Sequence, residues 1–207
     1  MKRVPFLLRM DGADRAAQLE AVRALKPAFE AACADAQVEN FSIWHMEQYL
    51  FGYGESLGDR TDCFDAILNA LPEGVTLVCA PASMRLMYHD IGVVRADKSL
   101  IRHRVFATHL KPGCAEEYKR RHDGLVAARG DRVTQGPESN FTIWNANGYI
   151  FGYCELVRSY DHPMTEEERA STVAWETRQL EIMDWLTDDV DWMTGEHHEH
   201  IACLAIG

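Results

Sequence analysis

Two stretches of this sequence, 100 residues apart, are nearly the same. Residues 40–55 read NFSIWHMEQYLFGYGE and residues 140–155 read NFTIWNANGYIFGYCE. Nine of the sixteen positions are identical, and Ser42/Thr142 and Leu50/Ile150 are close replacements. An internal period of domain size restricts the chain to two related units of about 100 residues each. With 47% of residues hydrophobic, both units have enough apolar material for a core.

The pattern around the block predicts the same element order twice. In the first half, residues 4–10 read as a strand closed by Asp11-Gly12, and residues 14–36 as a helix in which Pro27 forces a kink or restart. Phe41–Trp44 and Tyr49–Glu55 read as a hairpin, residues 61–71 as a second helix, and residues 84–94 as a closing strand. The second half gives a strand over 103–110, a helix over 114–129 stopped by Gly130, a hairpin over 140–157, a helix over 165–187 and a closing strand over 197–206. The order β-α-β-β-α-β is the ferredoxin-like split motif, an α+β fold with helices on one face of an antiparallel sheet. Two tandem copies, residues 1–94 and 103–207 joined by a short polar connector, are expected to pair sheet to sheet as an intrachain dimeric α+β barrel.

Charge and cysteine usage narrow the function. The net charge is −11 and no basic stripe stands out, which argues against nucleic acid and anionic membrane surfaces as partners. The six cysteines form no C-x-x-C pair, the pattern of a reduced, cytoplasmic protein. No run is long enough for a signal-peptide core or a membrane span.

Comparing the halves locates the chemistry. On the predicted helical stretch EEYKRRHDG, residues 116–124, Tyr118 and His122 lie at i and i+4, one turn apart on one face. A histidine titrates near neutrality and is the natural general acid or base, and a tyrosine hydroxyl can hold a polar substrate beside it. The plain alternative is an amphipathic helix with a solvated face. At the same offset the first half has Gln18 and Val22, so it keeps the hairpin block and lacks the titratable pair. One working and one structural copy would look like this.

The run F-x-x-x-L-K-P-G-x-x-E-E-Y-K-R-R-H (Phe106 to His122), followed by Asn140–Trp144 and the strand Tyr149–Glu155, resembles the L-rhamnose mutarotase family over residues 103–207. The resemblance implies a small α+β-barrel protein that interconverts sugar anomers without metal or cofactor. It implies Tyr118 as a sugar contact and His122 as the proton donor, with Phe141 and Trp185 as further substrate-binding positions. Phe141 stands where the family usually has tyrosine. The family's Trp-Trp pair on the second helix aligns with Ile182-Met183, with Trp175 and Trp185 nearby.

Other groups compete for roles. Tyr153 and Glu155 share a strand face and are either the complementary base or scaffold, since Tyr53 and Glu55 recur in the first half. In the run Glu196-His-His-Glu-His200, alternate histidines on a strand face could ligate a metal with His109 or His162, but the spacing matches no zinc motif. The aromatic pairs Trp44/Trp144, Phe51/Phe151 and Tyr53/Tyr153 fit packing, whereas Trp175, Trp185 and Trp192 belong to the second half alone. The reading is a sugar mutarotase-like isomerase acting on a rhamnose- or fucose-like monosaccharide, as a monomeric pseudo-dimer or a homodimer. The rival readings are an α+β-barrel monooxygenase, cofactor-free or haem-dependent, and a non-catalytic small-molecule binding protein.

Overall fold

The computed structural model describes residues 1–58, 60–134, 138–158, 165–186 and 202–204. The chain divides into two compact units, Met1–Met84 with Glu199–Gly207, and Arg85–His198. No helix among the described residues is long and apolar enough to cross a membrane.

The first unit contains β1 (Lys2–Arg3), β2 (Phe6–Met10), α1 (Arg15–Arg23), α2 (Lys26–Ala36), β3 (Val38–Met46), β4 (Tyr49–Ser56), α3 (Asp65–Leu68), β5 (Val75–Cys79) and β11 (Ala202–Cys203). The helix expected over 14–36 breaks at Leu25, and Pro27 falls in the first turn of α2, where its missing N–H costs nothing. Asp14 caps α1 by accepting from the Ala17 amide at 3.0 Å. The helix expected over 61–71 contracts to the single turn of α3. The sheet order is β11-β3-β4-β2-β5, with β1 on β4.

The second unit contains β6 (Arg85–Asp90), β7 (Ile101–Leu110), α4 (Ala115–Arg129), β8 (Glu138–Ala146), β9 (Tyr149–Val157), α5 (Glu166–Gln179) and β10 (Met183–Trp185). Its sheet order is β10-β7-β9-β8-β6. Thr165 opens α5 with a capping box, its hydroxyl and the Glu168 side chain each satisfying the other's amide. The helix ends at Gln179 rather than 187, because Met183 and Trp185 are drawn into pairing with Leu110 and Thr108 of β7.

Each sheet is antiparallel α+β of ferredoxin-like type, but its closing strand is not the expected one. In the first unit β5 takes that place, beside β2, and in the second β10 does so beside β7. The segment expected to close the first sheet instead forms β6 and pairs with β8 in the second unit. Of the strand expected over 197–206, the described part is β11, which pairs with β3 in the first unit. The alternation of apolar and polar residues marks a strand but does not say which open edge it joins. Val75-Thr-Leu-Val78 follows the Pro72-Glu-Gly74 turn directly, so it reaches the edge of β2 first.

The twice-written block builds the hairpins β3–β4 and β8–β9. Asn40 and Asn140 adopt φ of 51° and 52°, the left-handed region that asparagine tolerates, where both hairpins shift register. The Trp44 indole donates to the Ser42 hydroxyl at 2.9 Å and the Trp144 indole to Thr142 at 3.1 Å. Gly52 and Gly152 lie beneath the rings of Phe6 and Phe106, and a Cβ at Gly152 would sit 1.9 Å from the Phe106 ring.

Tyr153 and Glu155 finish the block. Glu155 is fully buried and accepts from Lys98 Nζ at 2.9 Å, Asn140 Nδ2 at 2.9 Å and the Tyr153 hydroxyl at 3.1 Å. Such an anion persists away from water because each oxygen is bonded and a cation neutralises it. Tyr53 likewise donates to buried Glu55 at 2.9 Å.

Two substitutions test these supports. Gly152→Ala forces its methyl into the Phe106 ring and lowers stability by about 1–3 kcal/mol in denaturant unfolding. Lys98→Met removes the Lys98 ammonium from the Glu155 carboxylate and costs about 3 kcal/mol, the low end for a buried pair because Lys98 stays partly in water. An equal loss on removing the surface partner Asp123 of Lys119 would contradict the special weight given to burial.

Candidate active site

Helix α4 has two chemically distinct faces. Outward, Lys119 pairs with Asp123, and Arg120 and Arg121 pair with Glu117 at 2.6 and 2.7 Å. Arg121 also reaches Glu181 at 2.7 Å and donates to the Arg178 carbonyl, which ties α4 to the end of α5. From the other side Arg85 of β6 pairs with Glu116. Inward, Tyr118 and His122 are 3% and 4% exposed. Tyr118 packs in an apolar layer that includes Met87, Phe106 and Ile143, and His122 lies against aromatic rings beside it.

The Tyr118 and His122 rings stack at 4.2 Å between centroids, 28° from parallel. His122 Nδ1 lies 2.9 Å from the Tyr118 carbonyl oxygen. A carbonyl can only accept, so Nδ1 carries the proton and Nε2 is the basic nitrogen of the neutral ring. Burial holds the His122 pKa below its ordinary value of 6.5, with the backbone hydrogen bond opposing, so the ring is neutral at pH 7. Trp175 of α5 stands edge-on to His122 at 5.4 Å, and Tyr88 of β6 lies 5.3 Å away.

Phe141 meets Tyr88 at 5.4 Å and Phe106 at 6.1 Å, and with Trp185 it packs against the same apolar layer as Tyr118. The four residues singled out from the sequence, Tyr118, His122, Phe141 and Trp185, thus border one helix-to-sheet layer. Tyr153 and Glu155 do not. Ile150 and Gly152 face that layer, so alternation turns Tyr153 and Glu155 to the opposite side.

Two further candidates were not legible in the sequence. Tyr88 sits on a strand assigned to the other unit, and burial raises its pKa, with Asp90 adding to the effect and Arg129 opposing it. Glu176 looked like one more acid on a helix that begins with Glu166, Glu167 and Glu168. Burial pushes its carboxyl up to about 7, against the pull of Arg104. The hydroxyl of Tyr118 is held well above the usual tyrosine range, first by burial and then by Glu176 itself, and stays neutral. The only sequence signal for Glu176 was its place beside Trp175, one of the tryptophans confined to the second half.

Ile182 and Met183, aligned above with a helical Trp-Trp pair, lie past the end of α5, and Met183 is on β10. The tryptophan that the helix does present to His122 is Trp175. His109 packs on Tyr149 at 4.8 Å. His162, Trp192 and the 196–200 histidine run lie outside the described residues, among which no three His, Cys, Asp or Glu side chains are placed to hold a metal ion.

The arrangement offers a neutral imidazole with a bare Nε2, a neutral phenol, a carboxyl that titrates near neutrality, and aromatic walls. That is equipment for proton transfer on a small hydroxylated molecule. No curated protein and no solved structure matches the chain. Residues 103–201, which carry β7, α4, the β8–β9 hairpin and α5, match the family model of L-rhamnose mutarotase, and this part of the chain is similar to that family.

Proposed function

We propose that the protein is a sugar mutarotase-like isomerase that interconverts the α and β anomers of a rhamnose- or fucose-like monosaccharide. The observation that carries this reading is the buried Tyr118–His122 stack, with Nδ1 committed to a backbone carbonyl and Nε2 left basic. It lies within the span that matches the mutarotase family. Phe141 and Trp185 supply apolar surface to the sugar ring, and Tyr118 offers it a neutral hydroxyl.

The reaction needs one proton removed and one supplied. His122 Nε2 takes the proton from the anomeric O1–H. The O1 electrons form the C1=O1 bond as the C1–O5 bond breaks, and its electron pair leaves on O5, which is protonated. C1 rotates in the open aldehyde. O5 then attacks the other face of C1 and loses its proton, and His122 returns the proton to O1. The proton count is unchanged over the cycle. A neutral base at pH 7 fits this assignment better than a histidine acting first as the acid, since burial disfavours the imidazolium.

Saturation-transfer NMR between anomers of rhamnose and fucose tests the reading. Wild-type protein accelerates exchange above the buffer rate, and His122→Ala loses about 10²–10⁴-fold of that acceleration. Tyr118→Phe keeps the stacked ring and its carbonyl but loses one hydrogen bond, a roughly two- to tenfold weakening. No exchange of either sugar by the wild type overturns the proposal.

A further inference from the structure

We infer that Glu176 is the second catalytic residue of this site, the acid that protonates the ring oxygen while His122 takes the anomeric proton. The inference rests on the mutarotase reading and adds the partner which that mechanism lacks. O1 and O5 are bonded to the same carbon, so acid and base must stand on neighbouring sites. Tyr118 is the common neighbour: its ring stacks on His122 at 4.2 Å, and Glu176 acts electrostatically on its hydroxyl. Trp175, adjacent to Glu176 on α5, touches His122 edge-on at 5.4 Å.

An independent observation marks the same layer as a place for a polyhydroxylated ligand. Gln179, one turn beyond Glu176 on α5, is 2% exposed, and neither atom of its amide has a hydrogen-bond partner among the described residues. Thr108 of β7 is fully buried and its hydroxyl has no partner there either. Alternation along β7 places Thr108 on the same sheet face as Phe106 and Leu110, the face α4 covers. Buried polar groups left unbonded are costly and rare in a native fold, and sugar hydroxyls would satisfy both.

Among the described residues, the titratable and charged groups that interact electrostatically with Glu176 are Tyr118 on α4 and Arg104 on β7. Arg104 is itself engaged by Glu138 of β8 at 2.7 Å. A burial-raised carboxyl is protonated in part at neutral pH, as an acid must be, and the buried imidazole is then its neutral partner. In ring opening the Glu176 proton passes to O5 as the C1–O5 pair leaves. In ring closure the carboxylate takes it back.

The experiment is the pH dependence of anomer exchange for wild type, Glu176→Gln and Glu176→Asp, with thermal unfolding of each. Wild-type exchange rises as His122 loses its proton below pH 6.5 and falls above about 7 as Glu176 ionises. Glu176→Gln loses at least about 10²-fold in rate together with the alkaline limb, while Glu176→Asp, a second probe should the amide misfold, keeps that limb at a reduced rate.

Unfolding supplies a readout besides rate. The folded pKa of Glu176 lies above its ordinary 4.5, so its stabilising contribution is complete below 4.5 and lost as pH rises through about 7. Glu176→Gln therefore melts above wild type at pH 8, and the gap closes towards pH 5. His122 adds an opposite trend, stability gained as pH rises towards 6.5, but it is common to both proteins and cancels in the comparison. An active wild type with an unimpaired Glu176→Gln overturns this inference alone. A wild type that exchanges no sugar overturns it together with the mutarotase reading.

Discussion

Tyr118 on the inward face of α4 packs with Met87, Phe106 and Ile143, the rings of Tyr118, Tyr88 and Trp175 surround His122, and both side chains are out of water. Desolvation then sets every protonation state in the site. It keeps the imidazole neutral, the phenol neutral and a good share of the Glu176 carboxyl protonated, because each charged form would forfeit its hydration. The outward ion pairs hold the burial in place. Arg121, engaged by Glu117, Glu181 and the Arg178 carbonyl, fixes α4 against the end of α5, whose Trp175 stands edge-on to the His122 ring.

The first unit has a helix-to-sheet layer of a different composition. Phe6, Phe29, Phe41 and Phe64 fill it, with ring centroids 4.8–6.4 Å apart, and Val22 is fully buried within that core. Gln18 donates its amide to the Gly74 carbonyl at 3.1 Å. A continuous aromatic packing gains dispersion and excludes water, but offers no group that exchanges a proton near pH 7.

The twice-written block was easy to find and is easy to explain. Five of its nine fixed positions meet a local backbone or hydrogen-bonding demand: the left-handed asparagine, the glycine under a phenylalanine ring, the tryptophan on a hydroxyl and the tyrosine on a buried glutamate. Tyr118 and His122 were equally legible, since a helix places i and i+4 together whatever surrounds it. Tyr88 and Glu176 were not. Tyr88 depends on which sheet edge takes β6. Glu176 depends on a neighbour from another element to bury it, and spacing within α5 says nothing of that neighbour.

Local order is what this sequence determined by itself: the hairpins and their turns, the break at Pro27, the capping box at Thr165, the titratable face of α4 and the βαββαβ succession. These are short-range effects, decided by backbone preference and by periods of 2 and 3.6 residues. The edge to which each closing strand went, the end of α5 at Gln179, the turning of Glu155 away from the site and the elevation of Glu176 were decided only by tertiary structure. Pairing partners and loss of water are properties of what the chain brings together, and residues far apart in sequence supply them.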